Sequence, residues 1–316
     1  MSTSTQGPPT GQFLRFAQLV ASNGSQGLDL SNLRFRFEVR ASDVETPNTM
    51  SVRVFNPTQQ TVNSIIQEFD TVTLTVGYQN GNQGTIFRGD IKQFRFGRER
   101  NVDNYIDILA GDGDEAYNQS VINQSFPAGT TNSQQLSALA ASMNLPVATN
   151  ADGFLTTGGV LPRGKVMFGM ARLQMAILAK SNDTRWSIQN GVLTLVPVTG
   201  YLPGEAVQIN SASGMIGTPE QTDNGIVIRC YINPLIKIGQ RVQINNRDIN
   251  QAIVKSQSYP SYTSLYYPAT VANDGFYRVL VAEHVGDTRD NDWYTELTCL
   301  DVDSSSPSQS SVLPQG

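Results

Sequence analysis

Hydrophobic and polar positions alternate in two separated stretches of this chain, and the two share one order of elements. Ser51-Val52-Arg53-Val54-Phe55-Asn56-Pro57 runs into Phe69-Asp70-Thr71-Val72-Thr73-Leu74. Ile228-Arg229-Cys230-Tyr231-Ile232-Asn233-Pro234 runs into Ile238-Gly239-Gln240-Arg241-Val242-Gln243-Ile244. Period-two alternation predicts strands with one buried face. An Arg is set into each first strand, and the Asn-Pro pair ends it, because Pro donates nothing to a ladder. A long hairpin with a charged tip follows each copy. Phe87-Arg88-Gly89-Asp90-Ile91 reaches Tyr105 to Asp112 through Gly97-Arg98-Glu99-Arg100-Asn101. Tyr277-Arg278-Val279-Leu280-Val281 reaches Trp293 to Asp301 through Gly286-Asp287-Thr288-Arg289-Asp290-Asn291. The repeated order predicts two related β domains with something different between them.

Elsewhere the pattern is simpler. Leu33, Phe35, Phe37 and Val39 alternate against Arg34, Arg36, Glu38 and Arg40, a strand with an aromatic inner face and a charged outer one. Val62, Ile65 and Ile66 stand at helical spacing after Pro57. Past Asp114 the character changes. Asn132 or Ser133 can cap a helix with Leu136, Leu139, Ala140 and Met143 on one stripe, and Gly169 to Ser181 predicts a second helix. Its expected inner side is Met170, Leu173, Ala176 and Ile177. Asn190-Gly191 between Trp186-Gln189 and Val192-Val196 is a strong hairpin signal. The expected fold class is therefore mainly β with an α+β insertion: residues 13–114 and 211–303 form the β domains, and 115–210 a small mixed domain. Residues 1–12 and 304–316 are polar arms expected to be disordered.

A length of 316 residues suits about two or three domains. The net charge of −5 argues against a surface that grips nucleic-acid phosphates as a whole. No run approaches a transmembrane length and no export signal leads the chain, so no membrane anchor is expected and assembly is placed in a cytoplasm. In that compartment Cys230 and Cys299 read as free, buried small residues.

The inventory of chemistry is thin. His284, the only histidine, cannot build a paired-histidine metal site, and a lone His in a strand reads as structural. Asp112, Asp114 and Glu115 could hold a cation, yet the rest of a calcium loop is missing and a Gly/Asp turn at a strand exit accounts for them better. No catalytic residue, cofactor site or metal site is predicted, and the chain reads as a non-enzyme. The interface candidates are the tip residues Arg98, Glu99, Arg100, Asp287, Arg289 and Asp290, with Tyr259, Tyr262, Tyr266 and Tyr267 of a Tyr/Pro-rich loop. That loop serves either contact or the pinning of its own domain.

Two segments resemble the baseplate hub proteins of contractile-tailed bacteriophages, which are related in architecture to the base of type VI secretion spikes. One is Leu28 to Gly77 with the following Ile86-Phe87-Arg88-Gly89-Asp90-Ile91. The other is Asp274 to Cys299, containing His284-Val285-Gly286-Asp287-Thr288-Arg289 and Trp293-Tyr294. With Gly225 to Val242 the likeness covers most of the chain. It implies two tube-like antiparallel β-barrels per chain and a homotrimer that makes a ring of six similar barrels. Such a ring adapts a sixfold tail tube protein to a threefold central spike protein, contacts other baseplate proteins, and lets genomic DNA pass through its lumen without specific binding. It also implies a place in the virion, at the tail baseplate. A duplicated unit is what such an adaptor needs, since a threefold ring matches a sixfold partner only through two near-equivalent surfaces per subunit. The alternative is a carbohydrate-binding or host-adhesion β protein of the virion, in which Tyr259 to Tyr267 would be a sugar platform.

Overall fold

The computed structural model describes residues 14–99, 103–155, 159–222, 225–245, 249 and 275–301. The first part is built from β1 (Arg15–Ser22), β2 (Gly27–Asp29), β3 (Phe35–Ser42), β4 (Thr49–Phe55), α1 (Gln59–Glu68), β5 (Thr71–Tyr78), β6 (Gln83–Glu99) and β7 (Asp103–Gly111). In β3 the alternation is complete: Phe35, Phe37, Val39 and Ala41 are buried while Arg36, Glu38 and Arg40 face outward. Thr58 caps α1 by accepting the Thr61 N–H, and the helix buries Val62 and Ile65. Ile66 points outward, since consecutive helical residues lie about 100° apart and cannot share one stripe.

The middle part holds α2 (Asp114–Gln119), β8 (Val121–Phe126), α3 (Asn132–Ser142), β9 (Lys165–Met170), α4 (Ala171–Ser181), β10 (Thr184–Gln189) and β11 (Val192–Pro197). Thr131, one residue before the expected cap, closes a capping box with Gln134, and Leu136, Leu139, Ala140 and Met143 are buried as the spacing predicts. Asn190 and Gly191 both take positive φ, 56° and 77°, and join β10 to β11. The face of α4 is corrected. Ala171, Met175, Leu178 and Ala179 are buried, whereas Leu173 and Ile177 face outward. Val121 on β8 and Val166 and Phe168 on β9 are exposed too, so the middle part carries an apolar outer surface.

The last part comprises β12 (Val207–Gln208), β13 (Met215–Thr222), β14 (Gly225–Tyr231), β15 (Arg241–Gln243), β16 (Phe276–Asp287) and β17 (Trp293–Asp301). Apolar side chains collect in three clusters. One lies under β1 to β7 and α1, one in the middle part, and one under β13 to β17. The first and third exchange members: Ile232 and Trp293 pack into the first, and Ala41 into the third.

Among the described residues, 13 strands form one sheet in the order β13-β14-β17-β16-β3-β4-β7-β6-β5-β1-β2, with β15 beside β16 and β12 beside β15. The mainly β class is as expected, but the two tube-like barrels are not confirmed: the described strands form one large, mainly antiparallel sheet, and no closed barrel is found among the described residues. The physical reason is the placement of β3. To close a barrel of the first part, β3 would need a free edge. Instead β4 takes one side and β16 the other, with Ser42 to Arg36 opposite Val281 to Asp287. Among the described residues no helix is long and apolar enough to cross a membrane.

Candidate functional site, an assembly interface

The two halves of the sheet repeat one another strand for strand. β3-β4-β7-β6-β5 has the same order and antiparallel sense as β13-β14-β17-β16-β15. Register fixes the equivalence residue by residue. On β4, Arg53 lies opposite Asp107 of β7, its Nε 2.6 Å from the carboxylate, with its guanidinium 3.9 Å from the Tyr105 ring centre. On β14, Arg229 lies opposite Glu296 of β17 at 2.8 Å, over the Tyr294 ring at 4.7 Å. The acid sits two residues after the Tyr in both copies, and both first strands end two residues after the Arg, at Phe55 and Tyr231. The hairpins carry a β-bulge at the same place: between Ile91 and Gln93 in β6, and between Val279 and Val281 in β16. Arg53 and Arg229 are the inset arginines of the two sequence copies, and the structure adds the matched acid and Tyr that each of them meets.

With this equivalence two sequence pairings shift. Arg278 corresponds to Asp90, not to Arg88, so the Phe-Arg and Tyr-Arg pairs that open the two hairpins are two residues out of register. Asn233 corresponds to Pro57, so the Asn-Pro pairs are offset by one. Their local roles also differ. Asn56, at φ 53°, exchanges hydrogen bonds with Asn104, and its amide reaches Asp103, whereas the Asn233 side chain accepts the Leu235 N–H.

The hairpin tips sit in unlike surroundings. Arg98 at the end of β6 is exposed, and Glu99 approaches Arg53 at 3.7 Å. Arg100 lies outside the described residues, as do Tyr259, Tyr262, Tyr266 and Tyr267. The second tip is held by the first part of the chain. Asp287 is buried, salt-bridged to Arg34 at 2.8 Å, and accepts the N–H groups of Arg289 and Asp290. Burial works against its charge, but Arg34 and those two N–H donors outweigh it and hold the carboxyl below its ordinary value. Arg15 donates to the carbonyls of Asp287, Asp290 and Asn291 and lies over the Trp293 ring. Arg289 is exposed and reaches the Asn32 carbonyl, and Asp290 stands 3.5 Å from Arg34.

Other charged groups lock the parts together. Arg278 of β16 is buried, pairs with Asp43 after β3, and donates to the carbonyls of Pro197, Val198 and Gly200; Arg185 of β10 reaches the same Asp43 at 3.2 Å. Asp112 accepts the N–H groups of Asn190 and Gly191, and Asn48 joins them. Asp114 pairs with Lys92, and the Glu115 N–H donates to Asp90. Among the described residues no group of three or more His, Cys, Asp or Glu is arranged to hold a metal. His284 is buried with Nδ1 2.7 Å from Thr295 Oγ1, and Cys230 and Cys299 are free and buried.

The same strand unit is thus present twice within one chain. The family model described as "Baseplate hub gp41" matches residues 32–279, which take in the first unit from β3 to β7 and, of the second, β13 to β15 with the start of β16. The chain belongs to this baseplate hub family. It is accordingly a structural protein of the phage tail baseplate, a component of the virion tail. The search of curated proteins returned no match. Among solved structures, the chain is similar to the 43 kDa tail protein of prophage MuSo2 from Shewanella oneidensis, with a TM-score of 0.58 at 9% identity over 91% of this chain and 99% of that one. It is also similar to a tail protein from Neisseria meningitidis MC58, at 0.55 and 10% over 92% and 97%, and to a chain of a PdpA–VgrG complex, at 0.52 and 7% over 93% and 65%. At such identities the likeness speaks for the fold alone.

Proposed function

We propose that this hub protein forms a homotrimeric ring in which the two repeated units of each chain make six near-equivalent positions, adapting a sixfold tail tube to a threefold central spike. The observation that carries the reading is the strand-for-strand repeat with its matched Arg–acid–Tyr clusters. A threefold ring meets a sixfold partner without mismatch only if each subunit presents the same surface twice. On this reading residues 13–114 and 211–303 are the two ring units, and 115–210 stands beside the ring with an apolar outer face toward other baseplate proteins.

Passage of genomic DNA through the lumen is supported by three outward arginines of the sheet that carboxylates engage, whereas Arg36, Arg88 and Arg95 are exposed with no carboxylate partner among the described residues. On the face turned away from the cores, Arg40 pairs with Glu283, Arg53 with Asp107 and Arg229 with Glu296. Arginines already engaged by carboxylates release no phosphate counterions and offer DNA little to hold. The first hairpin tip, with Arg98, Glu99 and Arg100, is assigned to the contact with the tube or the next subunit. Opposite charges there set register and encounter more than affinity.

Reversing charge at Arg98 and Arg100 together tests the assignment. The chain should keep its melting temperature while binding to purified tail tubes falls by tenfold or more. Unchanged tube binding and normal particle assembly would refute it. Asp287 is unsuitable for such a test, because its loss acts on the fold through Arg34.

A further inference from the structure

Equivalence between the two units makes one difference between them informative. In β16, the stretch Val281 to Asp287 is covered along its outer edge by β3 of the same chain. The equivalent stretch of β6, Gln93 to Glu99, pairs with β7 on one side and has no strand on the other among the described residues; β5 covers β6 only from Gln83 to Asp90. The strand equivalent to β3 is β13, and β13 ends the sheet with its outer edge open among the described residues. One chain thus contains one completed junction between units and both halves of a second.

Side-chain exposure agrees. His284 is 4% exposed under the cover of β3. Phe96, at the equivalent position of β6, is 44% exposed, a large aromatic on the inward-facing row of an uncovered strand. Long open edges of this kind invite misassembly unless a partner takes them.

Resting on the ring reading, we infer that β13 of one subunit pairs antiparallel with the Gln93–Glu99 edge of the next subunit, repeating the β3–β16 junction between chains. The contact is head-to-tail, so it closes only if rotation brings the third copy back to the first. Three internal junctions then alternate with three between chains, and the sheet runs unbroken around six units. Register follows from the internal junction. Glu283 opposite Arg40 becomes Arg95 opposite Thr222, His284 opposite Val39 becomes Phe96 opposite Gln221, and Val285 opposite Glu38 becomes Gly97 opposite Glu220. Glu220 then stands diagonal to Arg95 on the polar face, within reach of a cross-strand ion pair. Pro219 and the irregular pairing between Ile216 and Glu220 confine the regular contact to the end of β13 beyond Pro219, which also keeps the free edge from pairing indiscriminately.

Disulfide trapping in isolated tails tests both the edges and the register. Asp43 N–H donates to Leu280 O and Thr288 N–H to Phe35 O, which places Glu283–Arg40 among the pairs without mutual hydrogen bonds, where side chains come closest. The matching variant is Arg95→Cys with Thr222→Cys; both side chains lie on the polar face, away from the cores. After mild oxidation most of the hub should run as a covalent trimer on a non-reducing gel, with each single variant staying monomeric. The control Arg95→Cys with Glu220→Cys, two residues out of register, should link at least fivefold less. A lysine-reactive cross-linker reports copy number independently. If it yields trimers while the cysteine pair stays unlinked, the edge pairing is wrong and the ring stands. If it yields any other copy number, the ring reading fails and the inference with it.

Discussion

Asp43 is a single buried carboxylate facing two guanidiniums, Arg278 from the last part of the chain and Arg185 from the middle. Removing its charge leaves Arg278 desolvated without a counter-ion, so Asp43→Asn should cost about 3–5 kcal/mol, read as a lower urea midpoint. Loss within ~1 kcal/mol would mean that the carbonyls of Pro197, Val198 and Gly200 suffice for Arg278. Two other buried groups act on pH dependence with opposite signs. Burial lowers His284 from 6.5 to about 4, so the unfolded chain binds its proton first and stability falls as pH drops from 6.5 toward 4. Burial raises Asp112 from 3.8 to about 6, against the N–H groups that favour its charge, so the folded chain binds that proton first and stability falls as pH rises from 3.8 toward 6. The two slopes oppose each other between about 4 and 6. Asp112→Asn should therefore steepen the loss of stability on acidification toward ~1.4 kcal/mol per pH unit at most, measured by denaturation at several pH values. An unchanged slope would contradict the Asp112 assignment. At this scale the sequence was legible for burial and blurred for alignment. Shifting a strand by two residues keeps every side chain on its face, so Phe87-Arg88 and Tyr277-Arg278 looked equivalent when Asp90 and Arg278 are. The Asn-Pro pairs lie past the ladder, where register no longer constrains them.

Strands and turns were readable because each carries its own signal. β3 alternates without a break, and Asn190-Gly191 is chemically suited to the positive φ values its turn adopts. The face of α4 was not readable. Met170, Leu173, Ala176 and Ile177 are as apolar as Ala171, Met175, Leu178 and Ala179, so the helix offers two possible inner sides and only β9, β10 and α3 choose between them. Stability measurements separate the two. Met175→Ala should cost about 2–5 kcal/mol, while Leu173→Ser and Ile177→Ser should each stay within ~0.5 kcal/mol. The reverse ranking would return the exposed stripe to the core.

Across the whole molecule, the pairing of β3 with β16 joins residues about 240 positions apart, and no local pattern encodes it. The repeat was visible in sequence because alternation, an inset Arg and a charged hairpin recur in order. The junction that turns two units into one sheet was not, since strand edges become partners only once both units exist. The same holds for the open edges of β6 and β13, whose meaning comes from comparing a covered strand with its uncovered counterpart. The account's central claim is that three copies present six near-equivalent units. An end-on reconstruction of the isolated hub ring, processed without imposed symmetry, tests it most directly. The account predicts three chains and six similar lobes around the lumen, alternately joined within and between chains. A ring with three lobes at the lumen, one from each chain, would contradict it.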